Sequence, residues 1–194
     1  MIKPPDIKTL YDQLDAAEQD ARSVVEGLGE EQGRWRASVD SWSVAQCLDH
    51  LGITNEVYLG SMLEPATRAR SDGRLRRRPA LPGPVGRWFV ARMQPPVKQM
   101  SRIKTMRNIT PSASPALADA LARFLRSQDD VRKFLDNNAD LDLASIRFPN
   151  LLVRGIRFSV ATGLHVITAH DRRHLWQAWR VRRAAEGGRA IIGE

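Results

Sequence analysis

Four stretches of this sequence place apolar residues three or four positions apart, a spacing that an α-helix gathers onto one side. The first covers residues 6–28, with Ile7, Leu10, Leu14, Ala17, Ala21, Val24, Val25 and Leu28 in line and Gly27 and Gly29 to stop it. The second has a strong start signal. Ser43 is a good N-cap, Gln46 three residues later completes a capping box, and Trp42 is placed to staple onto Cys47. Its stripe of Val44, Cys47, Leu48, Leu51, Val57 and Leu59 runs to Pro65 or slightly beyond. A third helix opens at Ser114-Pro115, carries Leu117, Leu121, Phe124, Leu125, Val131, Phe134 and Leu135, and stops at Asn137-Asn138. The fourth spans about Phe158 to Ala185 and ends at Gly187-Gly188. No segment alternates convincingly as a strand, and no repeat is visible. The expected fold class is therefore all-α: an antiparallel four-helix bundle, formed by residues 1–194 as a single domain.

Between the second and third helices lies a segment of different character. Residues 66–113 contain Pro79, Pro82, Pro84, Pro95, Pro96 and Pro111. They read as a basic loop insertion with short helices around 85–93 and 97–106. Residues 66–107 hold twelve Lys and Arg against one acid, Asp72, a net of +11; the remainder has eighteen basic and twenty-one acidic residues, a net of −3. The formal charge of +8 thus belongs to one segment, which weakens any inference from overall basicity to nucleic acid. The single cysteine, Cys47, excludes an internal disulfide and fits a reducing compartment. The N-terminus lacks a signal-peptide core, and no stretch approaches the roughly 20 apolar residues of a membrane span, so the expected location is cytoplasmic.

The chemistry-bearing residues are histidines. His170 and His174 are four apart in the last helix, so both side chains lie on one face, a geometry suited to two imidazole ligands on one metal. His165 is about 140° around the same helix from His170 and is read as structural. His50 sits in the second turn of the second helix, which a bundle can bring beside the last one. Three neutral imidazoles leave coordination positions open, the arrangement expected of a catalytic divalent metal. Zinc and nickel come first, with iron, cobalt and copper also compatible.

The segment WSVAQCLDHL, residues 42–51, resembles the opening of the second helix in the DinB/YfiT-like superfamily, and HDRRHLWQ, residues 170–177, resembles that superfamily's closing motif. LGEEQGRW, residues 28–35, is similar to its usual linker. The resemblance covers most of the chain in order, while the middle segment matches only as a variable connection. It implies a four-helix bundle with one overhand crossover and a divalent metal held by His50, His170 and His174, with water completing the coordination. Characterised members include thiol-dependent S-transferases and isomerases using bacillithiol or mycothiol, and metal-dependent hydrolases have been proposed. The resemblance thus implies a metal-dependent enzyme that activates a water or a thiol for hydrolysis or S-transfer to a small electrophilic substrate, with a low-molecular-weight thiol as a candidate cofactor.

Gln46, Thr54 and Gln177 each lie about one turn from a histidine and are candidates to orient the imidazoles or contact substrate. Asp49, Asp171 and Arg173 are rotated away from the ligand direction, Arg173 being read as a structural residue that pairs with an acid. Cys47 is read as a packed core thiol. For the basic segment, the expected role is a solvated connection with one short helix packed on the bundle, followed by a lid that attracts anionic substrates. Two alternatives stand beside the enzyme: a nucleic-acid-binding bundle using Arg74, Arg76, Arg77 and Arg78 with Trp88 and Phe89, and a bundle that binds a small molecule without turnover. A homodimer through exposed helix faces is compatible with the sequence; nucleic acid is the less favoured partner.

Overall fold

Helical periodicity and caps build most of this chain, as a computed structural model shows for residues 3–96, 107–150 and 155–187. Among the described residues six helices form in order: α1 (Pro5–Val25), α2 (Glu30–Arg34), α3 (Val44–Ser71), α4 (Pro84–Met93), α5 (Leu117–Asn138) and α6 (Val160–Gly187). A single 3-10 turn, Arg107–Ile109, precedes α5, and two three-residue strands, β1 (Arg147–Pro149) and β2 (Arg157–Ser159), precede α6. The protein is predominantly helical. No helix among the described residues is long and apolar enough to cross a membrane.

The capping box at α3 forms as its sequence requires: the Ser43 Oγ accepts from the Gln46 amide at 3.1 Å, and Gln46 Oε1 accepts from the Ser43 amide at 3.1 Å. Helix α3 runs beyond Pro65, as its sequence allows, and ends at Ser71. Ala66 and Ala69 are buried beyond the proline, so core packing outweighs the hydrogen bond that Pro65 forfeits. Two local expectations fail for long-range reasons. The linker after α1 contains the short helix α2, and Ser114 is not the cap of α5. That helix begins at Leu117 with Ala116 at the N-cap, and the Glu30 carboxylate of α2 takes the free amides of Leu117 and Ala118 at 3.0 and 3.4 Å. The short helix expected around 85–93 is α4; the one expected around 97–106 lies outside the described residues.

Side-chain pairs fix the helix directions. Asp49 meets Arg123, Asn55 meets Ser127 and Arg70 meets Asp140, so α3 and α5 run the same way. Gln13 meets Thr168, Asp20 meets Trp179 and Ser23 meets Arg182, so α1 and α6 are parallel too. His50 beside His170 and Met62 beside Gly163 make α3 and α6 antiparallel. Bringing α5 parallel to α3 requires a connection that returns the whole length of the helices, which is why residues 72–116 are so long. That connection starts by docking, not by floating. Leu75 forms an isolated bridge with Leu141, Arg76 pairs with Asp6 at 2.6 Å, and the same carboxylate accepts the Ala80 amide at 2.6 Å. Arg78 pairs with Asp142 at 3.1 Å and Arg74 with Asp72 at 3.4 Å, whereas Arg77 is exposed and has no ion pair among the described residues. Helix α4 then packs on α6, where Gly86 faces Thr162 so closely that a Cβ would lie 2.6 Å from its Oγ1. Phe89 meets Phe158 edge to face at 5.1 Å.

The β1–β2 hairpin, absent from the sequence expectation because it is too short to show alternation, pairs Arg147 with Ser159, Phe148 with Phe158 and Pro149 with Arg157. It delivers the fully buried Phe148 onto Tyr58 and onto the bare backbone of Gly163, where a Cβ would come within 2.7 Å of the ring.

The core comes in two parts. One holds Ile7, Leu10, Leu14, Tyr58, Met62, Leu135 and Leu164 with the hairpin; the other holds Ala21, Val24, Leu48, Leu51, Phe124, Leu175 and Ala178. Between them, at mid-height on three helices, are buried polar residues: His50, Thr54 and Asn55 of α3, Ser127 and Gln128 of α5, and His170, Asp171 and His174 of α6.

Candidate metal centre

Within that polar layer, His50, His170 and His174 converge, with one ring nitrogen from each inside a set no more than 4.8 Å across. Their ring centres are 4.5 to 5.0 Å apart. His50 Nε2 and His170 Nε2 approach to 3.3 Å. His50 retains 2% of its exposure, His170 8% and His174 9%, so the α6 pair forms the more accessible side.

The outer nitrogens fix the chemistry of the inner ones. His50 Nδ1 lies 2.6 Å from the Ile109 carbonyl, which can only accept, so Nδ1 carries the proton and Nε2 presents a lone pair inward. His174 Nδ1 donates to Gln177 Oε1 at 2.9 Å, with the same result. His170 Nδ1 is buried without a hydrogen-bond partner among the described residues. Burial and, for His170 and His174, the neighbouring cationic charge hold all three imidazoles below their ordinary protonation range, the α6 pair far below it. Three neutral rings with inward lone pairs suit a divalent cation. At about 2.0–2.1 Å per Zn–N bond, two ligands on a tetrahedral ion stand about 3.3–3.4 Å apart, the spacing seen between the Nε2 atoms.

The segment that supplies the Ile109 carbonyl is itself tied down. Gln46 Nε2 donates to the Ser112 and Ala113 carbonyls at 3.2 and 3.0 Å, and the Ser112 amide donates to Asp49 Oδ2 at 2.8 Å. Of the polar candidates flanking the histidines, then, Gln177 touches an imidazole directly. Gln46 holds the segment that orients His50, and Thr54 donates to the His50 carbonyl at 2.7 Å. Trp42, expected to staple onto Cys47, packs against the core cluster that holds Cys47 and also sets its ring 4.6 Å from His50 and 5.5 Å from His174, covering the histidines.

Other candidates lie elsewhere. His165 meets the Ala80 carbonyl at 3.2 Å, on the side facing the connection between α3 and α4. Cys47 is fully buried in the second core cluster, and burial pushes its thiol pKa up, out of the reactive range. Asp49 turns to Ser112 and Arg123. Asp171 turns to the amide groups of Gln128 at 3.0 Å and Asn55 at 3.3 Å, and burial raises its pKa to about 7 despite those bonds. Arg173, expected to pair with an acid, has no acidic partner among the described residues. Arg76 and Arg78, two of the four arginines named for nucleic acid, are engaged by Asp6 and Asp142.

Two expected outcomes follow from these bonds. A Gln177→Ala chain should bind metal roughly ten- to a hundredfold more weakly with its helix content unchanged, because the partner that orients His174 is gone; equilibrium dialysis against a competing chelator reads this. Metal-free protein should lose stability as pH falls below about 6.5. In the unfolded chain the imidazoles then take up protons that the folded state refuses, so stability is full above that pH and declines on acidification, by about 1.4 kcal/mol for each unit of depressed pKa. Urea midpoints at pH 7.5 and 5.5, measured in an Asp171→Asn background to remove the opposing carboxyl, check the sign.

Compared with known proteins, residues 13–178 match the family model of the DinB superfamily. Neither a curated protein nor a solved structure matches the chain.

Proposed function

This chain belongs to the DinB superfamily, and from that premise we propose that it is a metal-dependent enzyme whose divalent ion is held by His50, His170 and His174. The observation that carries the reading is the pair of Nε2 atoms 3.3 Å apart in a cluster whose outer nitrogens are already committed at His50 and His174. In this reading the four long helices are a four-helix bundle of DinB/YfiT-like type with one overhand crossover, in which the expected antiparallel order holds between two parallel pairs, α1 with α6 and α3 with α5, and which forms a single domain over residues 1–194. Zinc or nickel is the proposed ion.

A divalent ion at three neutral imidazoles supplies Lewis acidity, which lowers the pKa of a water or thiol and gives a nucleophile near neutral pH. The protein's own residues do the rest. The Ile109 carbonyl and Gln177 Oε1 hold the His50 and His174 rings in the tautomer that faces inward. Gln46 and Asp49 keep the Ile109 segment against α3. Trp42 covers His50 and His174, shielding that side from bulk water and offering an apolar surface to a small electrophile. The substrate class is a small electrophile attacked by water or by a low-molecular-weight thiol, in a cytoplasmic setting suited to such thiols. A nucleic-acid role for residues 66–107 draws less support, since Arg76 and Arg78 are ion-paired to the helical body.

Elemental analysis of protein purified without chelators tests the reading, followed by a screen for ester and amide hydrolysis and for thiol transfer with and without added metal. About one zinc or nickel per chain and metal-dependent turnover are expected. Protein that binds no divalent metal even after reconstitution would defeat the proposal.

A further inference from the structure

Among the described residues, the charge balance around the histidines leaves Arg173 without an answering charge. Every ligand candidate is a neutral imidazole, and both nearby buried carboxylates face elsewhere: Asp49 toward Ser112 and Arg123, Asp171 toward Asn55 and Gln128. Arg173 stands beside the cluster. It is three residues after His170 and four before Gln177, so although it is turned about 100° from His174 it borders the histidine face on the Gln177 side, about 60° around the helix from His170. That side borders the imidazoles, because Gln177 reaches His174 Nδ1 from it. The neighbouring Arg172 is turned away, donating to Gln94 Oε1 at 3.0 Å.

We infer that Arg173 is the anion-binding residue of the three-histidine site, gripping a carboxylate or phosphate group on the molecule that binds there. The guanidinium is partly buried and has neither an acid nor a hydrogen-bond acceptor among the described residues. Removing water from a cation without supplying a counter-charge is unfavourable, and a planar fork of donors is matched by a carboxylate or phosphate. As a cation on the same turn of α6, Arg173 also disfavours a proton on His170 and His174. The inference deepens the metal-enzyme reading and rests on the same site: a divalent ion on three neutral ligands, with Arg173 alongside, leaves an excess of positive charge that an anionic ligand neutralises.

Isothermal titration calorimetry of the full chain, metal-free and zinc-loaded, with sodium succinate, inorganic phosphate and neutral succinamide tests it. Wild-type protein is expected to bind at least one of the two anions. Arg173→Gln should weaken that binding roughly ten- to a hundredfold, leave succinamide binding unchanged, and be partly rescued by Arg173→Lys. Stronger succinate binding would identify a carboxylate, stronger phosphate binding a phosphate group. Equal anion binding by wild type and Arg173→Gln, or none by wild type, overturns the inference. Zinc content is read separately. Zinc retained alongside equal anion binding removes Arg173 alone, whereas no zinc beside Arg173-dependent anion binding removes the metal and upholds Arg173.

Discussion

A His170→Ala chain is expected to lose its bound metal while remaining folded. His170 shares the 3.3 Å Nε2 contact with His50, and its ring centre is 4.5 Å from that of His174, so its removal leaves two neutral ligands that cannot close around an ion. Even a residue that only orients a ligand is worth roughly ten- to a hundredfold in affinity, so loss of a ligand itself should exceed about a hundredfold. Folding is a separate matter. The deleted ring carried a buried Nδ1 with no partner among the described residues, and relief of that unmet polar group offsets part of the small cavity left behind. Thermal unfolding separates the two effects. Added zinc should raise the melting temperature of wild-type protein by mass action and leave His170→Ala unmoved, with the metal-free proteins melting close together. Retention of about one ion per chain by the variant would count against the three-histidine assignment.

Asp171→Ala should be the most destabilising single change in the polar layer, by roughly 2–5 kcal/mol in urea titrations at neutral pH. It strands the Asn55 and Gln128 amide donors in a region that is fully buried. Asp171→Asn should behave in the opposite way. The Asn55 and Gln128 side-chain oxygens have no hydrogen-bond partner among the described residues, so rotated amides can accept from an asparagine in place of donating to a carboxylate. The pH dependence follows from the raised pKa of about 7 against 3.8 for a free carboxyl. The folded state holds the proton more tightly, so this group favours folding most below about pH 4, and the advantage drains away as pH rises through 7. Asp171→Asn should therefore match or exceed wild-type stability at pH 8 and lose ground relative to wild type toward pH 5. An asparagine variant that unfolds as readily as the alanine one at pH 8 would show that the charge itself is needed.

Much of this architecture was legible because it is local. The four long helices could be read from apolar spacing, the α3 start from Ser43 and Gln46, and the shared face of His170 and His174 from a four-residue interval. What the sequence concealed depends on groups far apart in the chain. Glu30 caps a helix that starts at Leu117, the Ile109 carbonyl fixes the tautomer of His50, and Asp6 anchors Arg76 and Ala80. None of these is marked by spacing. One signal was available and easily passed over. Asn55, Gln128 and Asp171 each occupy a position that the apolar stripe of their helix would assign to the core, as in the run Ile167, Asp171, Leu175. Polar residues in the apolar line at mid-helix on three separate segments foretell a buried polar layer, though not which partner each one meets.

That layer also restricts how the helices can slide. Two purely apolar helices tolerate displacement by one turn, since one leucine contact is replaced by another of similar value. Here, advancing α6 by a turn along α3 and α5 would carry Asp171 away from Asn55 and Gln128 and bury it among side chains such as Leu51 and Phe124, with nothing to bond. Misaligned packings are thereby penalised by several kcal/mol while the aligned one is not. The same alignment is the one that brings His170 and His174 level with His50, so helix register and ligand geometry are selected together.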